Sequence, residues 1–209
     1  MFAVTMDQQG SRQRGDQVET ILTHLAEVCP PSAPGVVRAF ERTVGDEVQG
    51  LLDDPAAVVD LVLGVLRLGG WSIGVGAGPV EEPVAASVRA VQGEALVLAR
   101  EAVEAAKSRS RAVPLAVRGV GHDAAAQAEG VLVMLGALAA RRSPAGWAAI
   151  EAVTAADRAP QGAVAERLGI SQQAVSQRLR TALWAEENAV RPAAATLLAQ
   201  AASPVGTAR

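Results

Sequence analysis

The sequence predicts an α+β domain followed by an all-α domain, and three observations support this. Up to about Gly121, short apolar strand patterns alternate with amphipathic helical ones. Beyond it, every apolar pattern has helical spacing. Half of the 209 residues are hydrophobic, enough to give both parts a core and to exclude a largely disordered chain.

The elements follow in order. FAVTMD is a short apolar run stopped at Asp7, and predicts a strand. Residues 16–29 place Val18, Ile21, Leu22, Leu25 and Val28 at helical spacing before Pro30 and Pro31 end the run. Residues 36–52 read as a hairpin turning at Gly45-Asp46. Asp54 can cap a helix whose first residue is Pro55 and whose end is Gly69-Gly70. WSIGVGAG, residues 71–78, is a strand whose glycines signal close backbone approach. Residues 94–109 form a helix with Ala95, Leu98, Ala99, Ala102 and Ala106 on one face, and 112–120 read as the last strand. The order β-α-β-β-α-β-α-β, with helices on one face of a common sheet, predicts a ferredoxin-like α+β sandwich over 1–121.

Residues 122–142 are expected to be a connector helix. Val131, Met134, Leu135 and Leu138 form its apolar stripe, and Gly136 and Ala140 allow close helix approach. That helix either packs on its own domain or also pairs two subunits. Ser143-Pro144 then opens a helical domain over 143–209.

Composition narrows the function. Aromatic residues make up 2 % of the chain and tyrosine is absent, which disfavours base-stacking platforms. One cysteine, Cys29, permits neither a disulfide framework nor a four-thiolate zinc site and fits a reducing compartment. The early Asp7 argues against a secretory signal. The longest apolar stretch, residues 130–140, is about half of a bilayer span. A cytoplasmic protein with no membrane contact is the expectation. His24 and His122 have no second ligand at metal spacing, the GVGAG glycines lack a following Lys-Ser/Thr, and Trp71, Trp147 and Trp184 read as core anchors.

Charge is uneven. Up to Ala140 there are 11 Lys+Arg against 17 Asp+Glu; from Arg141 onward, 8 against 5. A mildly basic end on an acidic body suggests two modules with different partners.

Residues 161–180, QGAVAERLGISQQAVSQRLR, carry the strongest pattern, that of a helix-turn-helix. Val164, Ala165 and Leu168 give a first inner face, with Ala165 small where two helices cross. Gly169 suits a turn needing positive φ. Ile170 plugs the corner, Ser171 can cap the second helix, and Ala174, Val175 and Leu179 face inward. The second helix of such a pair enters the major groove of double-stranded DNA. Its outward positions, Gln172, Gln173, Ser176, Gln177 and Arg180, suit that role, because glutamine pairs with adenine and arginine with guanine. Arg167 and Arg178 are placed to meet phosphates. The stretches after Arg180 are helical, which disfavours a winged variant. Selective reading of an operator calls for a homodimer.

The first module resembles a known group. RTVGDEVQGLL, residues 42–52, resembles the diguanylate cyclase hairpin R-x-G-G-D-E-F, with Val44 for the first Gly and Val48 for Phe. WSIGVGAG resembles the strand that follows in GGDEF domains and class III nucleotide cyclases, and AREAVEAAKSRSR resembles the end of a GGDEF domain. Together with the terminal helix-turn-helix, the chain resembles the SatD family of small bacterial proteins with a cyclase-like domain. The resemblance implies Asp7 and Asp46 as metal-binding carboxylates for Mg²⁺, with Glu47 beside a nucleotide. It places Val97 where cyclases have asparagine, and Arg100 or Glu101 at their arginine position. No catalytic residue is assigned. The expected function is a DNA-binding transcriptional regulator with a degenerate cyclase-like sensor or dimerisation domain. The alternative is a nucleotide-binding protein or a divergent Mg-dependent nucleotide cyclase.

Overall fold

The computed structural model describes residues 1–155 and 161–204. Segments 156–160 and 205–209 of the expected C-terminal domain therefore lie outside the described residues. The chain is α+β. Strands β1 (Phe2–Gln8), β2 (Val36–Arg42), β3 (Glu47–Leu52), β4 (Trp71–Ala77) and β5 (Leu115–Gly119) form one mixed sheet in the order β2-β3-β1-β4-β5. The first four pair antiparallel, with Phe2 opposite Leu52 on one side and Ala77 on the other; β4 and β5 are parallel.

The short α1 (Ser11–Arg14) and α2 (Val18–Val28) follow β1, and α3 (Pro55–Leu68) follows β3. The Asp54 side chain accepts from the Ala56 N–H at 2.8 Å and Pro55 occupies the first turn, so the expected cap forms. A 3₁₀ turn (Val88–Ala90) precedes α4 (Glu94–Ala106), the crossover that parallel strands require. Then come α5 (His122–Ala139), α6 (Pro144–Thr154), α7 (Gln161–Leu168), α8 (Gln172–Thr181) and α9 (Trp184–Ala201). Leu183, between α8 and α9, has φ +52, a left-handed turn disfavoured for a non-glycine residue.

Strand alternation puts Phe2, Val4, Met6, Val48, Leu52, Ile73, Val75, Leu115 and Val117 on one face, under α2, α3, α5 and α9. The other face carries Ala3, Leu51, Thr5, Gln49 and Ala116, covered by α4 and the loop before it. Buried Gln49 donates from Nε2 to Thr5 Oγ1 at 2.8 Å across that face. Helices thus cover both faces, which corrects the expectation of one. Gly74 and Gly76 point toward α4, so the helix backbone lies directly on β4.

Further expectations change. The connector, 122–142, sits in the main core: Ala125, Ala128, Leu132 and Leu135 of α5 join Ala194, Leu198 and Ala201 of α9 beneath the sheet. The packing therefore does not divide at 121 and 142, and α9 belongs with the sheet rather than with α6–α8. Met134 lies outside the apolar stripe assigned to it, at 71 % exposed, and Val28 of α2 is also exposed. Gly136 is spent within the chain, against Leu66 and Val113. Trp71 is buried as expected, while Trp147 and Trp184 are half-buried beneath guanidinium groups.

The outer edge of β5 is closed by side chains. Leu115 O accepts from Arg111 at 2.8 Å, Val117 N–H donates to Glu129 Oε2 at 2.9 Å, and Val117 O accepts from Arg118 at 2.7 Å. Glu129 also pairs with both guanidiniums. An open edge would be a template for another strand, and this network removes it. Burial alone would raise the Glu129 carboxyl, but the Val117 N–H and the two arginines outweigh it and hold it below the usual glutamate range. A depressed carboxylate stabilises the fold above its unfolded value of about 4.3 and loses that contribution as pH falls through its folded value. Glu129→Gln is expected to cost about 1.5–3 kcal/mol at neutral pH. It should also flatten the acid limb of melting temperature against pH. An acid limb as steep as the parent's would contradict this assignment.

Candidate functional site

The α6–α8 unit has its own small core of Ala152, Val164, Ala165 and Val175, with Val153, Leu168, Ile170 and Leu179 packed around it. Ala165 is 5 % exposed, small where α7 and α8 cross. Between them Gly169 adopts φ +64, and Ile170 N–H donates to Ala165 O at 3.0 Å, closing the turn. Ser171 caps α8 by accepting from Ala174 N–H at 3.2 Å. These local features were all legible in the sequence; Leu168, Ile170, Ala174 and Leu179 are less buried than expected, all four half-buried.

The outward face of α8 is open. Ser171, Gln172, Gln173, Gln177 and Arg180 are exposed, as is Arg167 in the last turn of α7; Ser176 and Arg178 are half-buried. Gln172 differs from its neighbours, since its amide folds over Gly162, where a Cβ would lie 2.7 Å from Nε2. Gln173, Gln177 and Arg180 therefore form the accessible centre of the face. The helix QQAVSQRLRT contains no carboxylate, so a polyanion laid along it meets no negative charge from this helix and finds amide, hydroxyl and guanidinium donors.

A second polar cleft of about 580 Å³ opens at the end of β1. Asp7, Gln9, Ser72, Lys107, Arg109 and Arg111 line it. Gln9 Nε2 donates to Ser72 Oγ at 3.1 Å. Lys107 Nζ sits 2.9 Å from Asp7 Oδ2 and 2.6 Å from Glu104 Oε1. Burial lowers the Lys107 pKa, but these carboxylates outweigh it and hold the ammonium above the ordinary lysine value.

The suspected metal residues Asp7, Asp46 and Glu47 lie at one end of the sheet, where β1 meets the β2–β3 hairpin. Asp7 and Glu47 are cross-strand partners, but the Glu47 carboxylate accepts from Thr43 Oγ1 at 2.6 Å. Asp46 lies in the hairpin turn, where its backbone carbonyl accepts from Gln8 N–H at 3.3 Å. Among the described residues, no three His, Cys, Asp or Glu side chains gather as a metal site would need. The Lys107 ammonium stands where a cation would neutralise Asp7, so these residues do not fit a Mg²⁺ cradle. Val97 and Arg100 line a different cleft, with Gln49 and Arg89. The sequence reading missed Lys107 as a site residue because it lies a hundred positions from Asp7. The K-x-R-x-R run after α4 was its one signal.

No single helix among the described residues is long and apolar enough to cross a membrane. Comparison with family models, curated proteins and solved structures returns no match for this chain.

Proposed function

We propose that this protein is a DNA-binding transcriptional regulator. In this reading α7, the Gly169 turn and α8 are a helix-turn-helix, and the sheet is a ferredoxin-like, cyclase-like domain related to the SatD group. The observation that carries it is the carboxylate-free, exposed Gln173–Gln177–Arg180 face on a helix crossing tightly over Ala165. Amide and guanidinium groups in the major groove read base edges, while Arg167 and Arg178 meet phosphates. The sheet domain then serves as sensor or dimerisation platform.

Chromatin pull-down with the tagged protein identifies the operator. On that operator, Gln173→Ala and Arg180→Ala are each expected to weaken binding by about 1–3 kcal/mol. The melting temperature should not move. Affinity equal to the parent's for both variants, in a low-salt gel shift, would refute the reading.

One observation favours a second reading, an anionic small ligand such as a nucleotide bound at the end of β1. Lys107, Arg109 and Arg111 converge there, and Arg109 is exposed and unpaired among the described residues. Calorimetry against nucleoside triphosphates and cyclic nucleotides, without divalent cation, is expected to show binding that Lys107→Ala weakens about tenfold. Silence across the panel would leave the sheet as a scaffold.

A further inference from the structure

Among the described residues, the outer face of α5 has no packed partner, and its arrangement matches itself. At about 3.6 residues per turn, the face opposite buried Leu132 carries Asp123, Ala126, Gln127, Gly130, Met134, Ala137 and Leu138, and Arg141 follows in the turn that ends the helix. Of these, Asp123, Ala126, Gln127, Gly130, Met134 and Arg141 are exposed. Two features are unfavourable for the isolated chain. Met134 presents an apolar side chain 71 % exposed. Gly130 sits mid-helix with open space where its Cβ would be, although glycine weakens a helix relative to alanine.

We propose that this face pairs with the same face of a second copy, the two α5 helices running antiparallel about a two-fold axis level with Leu132. The register follows from the sequence positions alone, because such an axis brings together residues equally far on either side of Leu132. Met134 and Gly130 are each two residues away, so the methionine of one copy lies in the gap left by the glycine of the other. Ala126 meets Leu138 and Gln127 meets Ala137 by the same rule. Asp123 and Arg141 are each nine residues away, so opposite charges meet at both ends. Neither forms an ion pair within the described chain, though each suits its own end of the helix dipole. A parallel pairing would instead stack Asp123 on Asp123 and Arg141 on Arg141.

A self-complementary patch is what a two-fold interface requires. A single pair of helices makes a small interface of the weak class, and association is expected within the micromolar range. The inference goes beyond the DNA reading: it is measured without nucleic acid, and either can fail while the other stands.

Sedimentation equilibrium between about 1 and 100 µM tests it. The parent should pass from monomer to dimer, and Met134→Glu and Gly130→Lys should each raise the dissociation constant at least about tenfold. Both positions are solvent-exposed, so circular dichroism of the monomers should match the parent. Asp123→Arg and Arg141→Asp should each weaken pairing, and the double exchange should restore it. A parent that stays monomeric overturns the proposal. A dimer indifferent to Met134→Glu and Gly130→Lys overturns it too, as does a double exchange no better than the singles.

Discussion

Glu187→Ala is expected to remove about 3–5 kcal/mol of folding stability, read as a drop in the denaturant midpoint. Glu187 is 2 % exposed in the first turn of α9, and its Oε2 lies 2.5 Å from Arg142 Nη2, a side chain equally buried. Arg191 reaches its other oxygen from one turn along the helix, with Nε at 2.9 Å. Arg142 also donates from Nε to Ala182 O at 2.8 Å, and its guanidinium faces the Trp147 and Trp184 rings at 4.9 and 5.9 Å. Among the described residues, its Nη1 and Nη2 and the Glu187 Oε2 make no hydrogen bond, so the contact between them is an ion pair held by charge. Without the carboxylate, the arginine keeps a full charge in a dry setting, compensated only by the Ala182 carbonyl and the aromatic faces. Truncating one partner is therefore severe, while removing both is not. The double variant Arg142→Met with Glu187→Met should lie closer to the parent than either single change. Additive losses would show that the two charges are not coupled.

Gly76→Ala is expected to be at least as damaging, with a loss of about 4 kcal/mol or more and poor recovery of soluble protein. A Cβ there would fall 2.1 Å from Ala95 O and 2.2 Å from Ala99 N, both in the α4 backbone. A clashing side chain could rotate away, but backbone inside a helix moves only if the whole helix does. Gly74, where a Cβ would meet Val103 N at 2.2 Å, blocks the same retreat one turn further along. The control is Gly64→Ala on the exposed side of α3, where nothing lies within 4 Å. Alanine there should be neutral or stabilising by up to about 1 kcal/mol. Equal behaviour of the two variants would mean that α4 is not seated as described.

The glycines of β4 show what a sequence can disclose. Alternate positions without side chains, Gly74 and Gly76 among buried Ile73 and Val75, announce a close neighbour. They do not say on which side the other helices lie, so α4 was wrongly grouped with the rest. The cap at Asp54, the turn at Gly169 and the cap at Ser171 were legible because each is settled within a few residues. Met134 was misread because an apolar residue at helical spacing looks the same whether it faces a core or water. The return of α9 to the sheet, and the pairing of Lys107 with Asp7, join parts of the chain that no local pattern connects. The buried pairing of Arg142 with Glu187 likewise joins positions far apart in the chain. Local rules gave the turn and accessible face of the candidate nucleic-acid site, but the cleft at β1 depends on the assembled sheet.

Because α5 and α9 both lie in the main core, α6–α8 form a loop of folded structure that leaves the body and comes back to it. The two ends of that excursion meet where Arg142 grips Ala182, beside the left-handed bend at Leu183. A unit held by a single linker is tethered once; this one is tethered at both ends, with a hydrogen bond closing its neck. The face of α8 is therefore joined to the sheet body twice, through α5 on one side and α9 on the other.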